Sequence, residues 1–99
     1  MKVCAARLTV IGAKRQVRSF QKSTWATALG AKHCELLENS PGRFCCQFES
    51  DDPPLESLRT LSWHWPMLTF LLDYDLHAKR VKGLAKAKAG ALTDHRVTY

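Results

Sequence analysis

The chain has 99 residues, 45% of them apolar, and carries a formal net charge of +6. That length and that apolar share fit one domain, residues 1–99, large enough to close a core without a disulfide or metal staple, and they exclude a disordered segment. Four irregularly placed cysteines, Cys4, Cys34, Cys45 and Cys46, exclude a secreted disulfide scaffold.

The opening MKVCAARLTV is broken by Arg7 and makes a poor signal peptide. The apolar run from Trp65 to Leu72 is too short to cross a bilayer and ends at Asp73. The expectation is a cytoplasmic protein in a reducing compartment, with no membrane partner.

Residues 3–11 alternate, with Cys4, Ala6, Leu8 and Val10 on one face and Ala5, Arg7 and Thr9 on the other, which predicts a half-buried strand ended by Gly12. A helix is expected over residues 13–25. Val17, Phe20 and Thr24 form its apolar stripe, and Lys14, Arg15, Arg18 and Lys22 cover the remainder. Cations near its start oppose the helix dipole. Residues 26–32 read as an Ala/Gly connection.

Residues 33–37 and 43–49 flank the turn signal Asn39-Ser40-Pro41-Gly42 and predict a hairpin. With Cys34 facing Cys46 and Leu36 facing Phe44, both pairs point inward beside Phe48. Asp52 and Pro53 then suit the N-cap and first turn of a second helix, striped by Leu55, Leu58, Leu61 and Trp65 and stopped by Pro66.

Residues 67–76 alternate again, with Leu68, Phe70, Leu72 and Tyr74 inward. A strand at about 79–87 and a short final strand within residues 91–99, with Val97 and Tyr99 inward, complete the chain. The order β-α-β-β-α-β plus one or two C-terminal strands predicts an α+β, ferredoxin-like sandwich: an antiparallel-rich sheet in the order 4-1-3-2, with both helices on one face.

Several of these segments also match a known family. LTVIG followed by V-R-S-F, then F-E-S-D-D-P-P, L-S-x-x-W-P-x-L-T-F-x-L-x-Y, K-G-L and a late A-G together resemble the YubB-type ferredoxin-like domain of uncharacterised bacterial, plasmid and phage proteins. The chain departs from that pattern in having Ala-Lys-His-Cys-Glu-Leu where a Trp-Gly-Thr-Lys-Trp type of segment is expected, and Asp75 rather than glutamate after Tyr74. The resemblance implies a fold and no activity.

The same plan serves RNA-recognition modules, but Thr9, Arg43 and Cys45 stand where their stacking aromatics would be, and Phe44 and Phe48 have core parity. No C-x2-C pair supports a metal, since neighbours such as Cys45 and Cys46 on a strand point to opposite faces. His64 and His77 are the candidate general bases, and neither has a nucleophile or carboxylate at a readable spacing. No phosphate-loop, dinucleotide or zincin motif occurs, so no cofactor is expected.

The sequence therefore points to a non-enzymatic interaction module that binds a protein partner or itself, as a homodimer, through a sheet edge or the open face. A second reading is a weak, non-specific nucleic-acid binder using Lys14, Arg15, Arg18, Lys22, Lys79, Arg80 and Lys82. A third is a small dimeric α+β enzyme.

Overall fold

The computed structural model describes residues 4–99; Val3, expected to start the first strand, lies outside them. The chain forms β1 (Cys4–Ile11), α1 (Lys14–Gln21), α2 (Trp25–Leu29), β2 (Lys32–Ser40), β3 (Arg43–Ser50), α3 (Leu55–His64), β4 (Thr69–Leu76), a 3-10 turn at His77–Lys79, β5 (Val81–Lys88) and β6 (Ala91–Thr98). The six strands make one fully antiparallel sheet in the order β2-β3-β1-β4-β5-β6. The helices pack on one face, and the whole is compatible with a ferredoxin-like α+β fold.

Alternation places the core. Cys4, Ala6, Leu8 and Val10 of β1, Phe44, Cys46 and Phe48 of β3, and Phe70, Leu72, Tyr74 and Leu76 of β4 are all buried on the helix side. Val17 and Phe20 of α1, Trp25 and Leu29 of α2, and Leu58 and Leu61 of α3 close over them. Phe20 is the centre of the aromatic packing. Its ring lies 5.3 Å from Phe70 and 5.5 Å from Trp65, edge to face, and stacks on Trp25 at 5.9 Å.

Several expectations are corrected. The first helix stops at Gln21, where the Ser23 hydroxyl donates to the Phe20 carbonyl at 2.6 Å. Trp25 belongs to α2, a separate five-residue helix in the stretch read as a connection, ended by Gly30 at φ 65°. Asp52 and Pro53 do not open α3. The helix begins at Leu55 after Pro54, and the Asp52 carbonyl instead accepts the Ser50 hydroxyl at 2.7 Å.

The largest correction concerns β2. Its register shifts between Lys32 and Glu35 and again between Leu36 and Glu38, so Leu36 faces Cys46 and Asn39 faces Phe44. β2 is also an edge strand. Cys34 and Leu36, expected inward, are exposed.

At the opposite edge, Leu92 takes the inward parity opposite buried Ala87, which turns Val97 and Tyr99 to solvent rather than to the core. Cys45 has the predicted outward parity, yet it is buried at 7% exposure. It lies between Thr9, whose hydroxyl donates to its sulfur at 3.6 Å, and Glu38, which pairs with Arg43 two residues back on the same face.

Candidate functional site

Three surfaces carry chemistry-bearing side chains. The first lies between α1 and the β2–β3 turn, a depression of about 480 Å³ lined by Lys14, Arg18, Gln21, Lys22, Asn39 and Ser40. Gln21 donates its amide to Asn39 Oδ1 at 3.0 Å and ties helix to hairpin. The first turn of α1 holds no acidic residue, and Ala13 offers it no side-chain cap. The helix start and its cations therefore present the same sign of charge.

Of the seven cations expected to contact nucleic acid, the structure gathers Lys14, Arg18 and Lys22 around this depression. Arg15 is exposed on the same helix. Lys79, Arg80 and Lys82 are elsewhere, at the β4–β5 connection, where Arg80 and Lys82 lie over the Tyr99 ring at 5.9 and 5.2 Å.

The second surface is the sheet face without helices. Cross-strand register sets Arg7 directly between Gln47 and Asp73, and Asp73 opposite Leu84. Arg7, Gln47, Asp73, Asp75 and Lys82 line a shallow depression of 460 Å³. The Tyr99 hydroxyl donates to Asp75 Oδ1 at 2.6 Å, and His77 Nδ1 lies 3.5 Å from Asp75 Oδ2. That hydrogen bond to the carboxylate pushes the Tyr99 phenol above its ordinary range. Charges of both signs alternate here, and no aromatic ring occupies the middle of the face, so base stacking has no platform.

The third surface is the β6 edge. Tyr74 lies across Gly83 and reaches Asp94, donating its hydroxyl to Oδ1 at 2.7 Å. Arg96 Nε donates to Asp94 Oδ2 at 2.8 Å, and its guanidinium sits over the Tyr74 ring at 5.5 Å. Burial first, and the neighbouring carboxylate second, push the Tyr74 phenol up to about 12. Reading the sequence missed this cluster. The available signal was the Asp94-x-Arg96 spacing, which places both side chains on one strand face.

β6 pairs with β5 through eight successive residues without a bulge, whereas β2, the other edge, carries two shifts. Leu84, Val97 and Tyr99 are exposed beside or on β6, on the open face.

Of the two candidate general bases, His64 lines a shallow 330 Å³ groove with Glu56 and Ser57. Its Nδ1 lies 2.9 Å from the Thr60 carbonyl one turn back, which occupies that nitrogen as a donor. Among the described residues no group of three His, Cys, Asp or Glu side chains is placed to hold a metal ion. No helix among them is long and apolar enough to cross a membrane.

The residues of the matching segments pair off inside the fold. Tyr74 covers Gly83, Gly12 abuts Leu68, and the Ser62 hydroxyl accepts the Gly90 N–H at 3.0 Å while donating to the Arg59 carbonyl at 2.7 Å.

No protein-family model matches the chain, and no curated protein matches it. Among solved structures the chain is similar to the protein api92 from Yersinia pseudotuberculosis, assigned to the family model DUF1281, with a TM-score of 0.57 at 15% identity. The likeness covers 76% of this chain and 28% of that protein, so this chain spans under a third of its neighbour's length, and at that identity what is shared is the fold.

Proposed function

We propose that this chain is a non-enzymatic interaction module whose partner, a protein or a second copy of itself, is engaged through the β6 edge and the adjoining open face. The observation that carries this reading is the contrast between the two sheet edges. β2 is blunted by bulges, as edges protected from pairing are, while β6 offers an unbroken row of main-chain donors and acceptors. Exposed Leu84, Val97 and Tyr99 beside it add apolar area suited to a partner.

The finer fold assignment belongs to the same proposal: a ferredoxin-like β-α-β-β-α-β unit extended by β5 and β6, of the YubB type. The pairing of the matching-segment residues Tyr74 with Gly83 and Ser62 with Gly90 supports it. Four free cysteines, three of them buried, suit a cytoplasmic location.

A second reading rests on the depression where Lys14, Arg18 and Lys22 converge: weak phosphate-backbone binding to nucleic acid. One experiment separates the two. Fluorescently labelled chain is titrated in parallel with unlabelled chain and with a DNA oligonucleotide at roughly 20 mM salt, where screening is weakest. Homotypic binding that persists as salt is raised supports the module. Binding to DNA alone, lost with added salt and weakened by Lys14→Ala and Arg18→Ala, contradicts it.

A further inference from the structure

The proposed module leaves its partner open, and the self-complementarity of β6 points to one. We propose that two copies of this chain join antiparallel through β6, in the register that sets His95 opposite the same residue of the second copy, so that the two sheets become one. This rests on the interaction-module reading and names its partner.

The register follows from which backbone groups are free. The Tyr99 N–H donates to the Arg80 carbonyl at 2.8 Å, which makes Arg80 and Tyr99 a hydrogen-bonded pair. In an antiparallel ladder such pairs alternate. The N–H and C=O groups of Thr93, His95 and Val97 therefore turn towards β5, and those of Leu92, Asp94, Arg96 and Thr98 turn outward. A second β6 must bond to these outward residues, and residues opposed across the join must share a face.

Three registers then use most of the strand. Two of them place Asp94 opposite its own copy or Arg96 opposite its own copy, and like charges directly opposed are unfavourable. The third centres the two-fold axis on His95. It sets Asp94 of each chain opposite Arg96 of the other, Leu92 opposite Thr98, and Thr93 opposite exposed Val97. Every outward residue from Leu92 to Thr98 finds a partner, for about eight main-chain hydrogen bonds. The contact is isologous, so it closes as a pair and does not propagate. The bulged β2 edge cannot extend it into a fibre.

Asp94 and Arg96 are already ordered for this role. Their mutual 2.8 Å contact and the Tyr74 hydroxyl hold both on the helix-side face. On the opposite face His95 has Leu84 directly across β5, with Lys82 and Lys86 diagonal to it, Thr93 and Val97 along its own strand, and Asp73 one strand further.

Charge reversal tests the register. Wild-type chain, Asp94→Arg, Arg96→Asp and an equimolar mixture of the two variants are each run in sedimentation velocity at roughly 10–500 µM, with circular dichroism to check folding. The wild type is expected near twice the 11.2 kDa of one chain. Each variant alone should sediment as a monomer, and the mixture should return to the dimer, because an all-basic edge then meets an all-acidic one. A fold weakened by losing the contact with Tyr74 would not be rescued by mixing. A wild-type dimer that survives both substitutions overturns the register and leaves the module reading standing. A wild-type monomer throughout the range overturns the self-pairing itself. If that monomer also binds DNA alone in the parallel titration, the module reading falls with it.

Discussion

Tyr74 packs against Gly83 so closely that a β-carbon at Gly83 would overlap the hydroxyl end of the tyrosine ring. The two residues are cross-strand partners on β4 and β5. The absent side chain on one lets the other reach across β5 to Asp94 on β6. Packing there thus depends on a glycine chosen for space, not for an unusual backbone angle.

Gly83→Ala should accordingly destabilise the protein by about 1–3 kcal/mol through overpacking. In a Tyr74→Leu background, which removes the ring, the same substitution should cost markedly less. Chemical denaturation of the four proteins of this cycle measures the coupling. Equal costs in both backgrounds would show that the ring is not what Gly83 accommodates.

The Tyr74 phenol should titrate last. Its value is raised to about 12, so the folded chain keeps that proton while the unfolded chain releases it at about 10. Stability from this group is fully present below about pH 10 and is lost as pH rises towards 12. Ultraviolet titration of the phenolates should show one tyrosine ionising near 12 in the wild type, and Tyr74→Phe should remove that step. The same substitution should flatten the alkaline loss of stability relative to wild type.

Thiol reactivity separates the cysteines by edge and interior. Cys34 is exposed on β2, while burial pushes the Cys46 thiol up to about 12 and raises that of Cys4. An aromatic disulfide reagent should modify a single thiol quickly in the native protein, and Cys34→Ser should abolish that fast phase. A fast phase surviving in Cys34→Ser would place the accessible thiol on Cys45 and contradict the β2 register.

Phe70→Ala should cost about 3–5 kcal/mol, because the ring is fully buried against Phe20 in a central strand. Leu71→Ala, on the open face and half-buried, should cost less. Denaturation that ranked the two in the reverse order would mean the faces of β4 are exchanged.

The central strands were legible in the sequence because burial on one face imposes strict alternation. β1 and β4 obey it, and the Asn39–Gly42 turn marks the hairpin. The edges were not legible, because there one-residue irregularities carry no penalty large enough to leave a pattern. Cys34 and Leu36 look inward by parity, and Leu36 does lie opposite core Cys46, yet both are exposed because β2 is the sheet's edge. Trp25 looked like the end of one helix because the break at Lys22–Thr24 contains neither glycine nor proline. The basic residues could be counted but not placed: folding brings Lys14, Arg18 and Lys22 together and leaves Lys79, Arg80 and Lys82 at another corner. The β6 edge and its Asp94–Arg96 pair emerge only once the strand order is known.

Amide hydrogen exchange along β6 tests the interaction surface most directly. Thr93, His95 and Val97 donate to β5 and should be protected at every protein concentration. Leu92, Asp94, Arg96 and Thr98 point outward and should exchange freely in dilute solution, then become protected as concentration rises and the edge is covered. Outward amides that exchange at the same fast rate in dilute and concentrated solution would contradict a paired β6 edge.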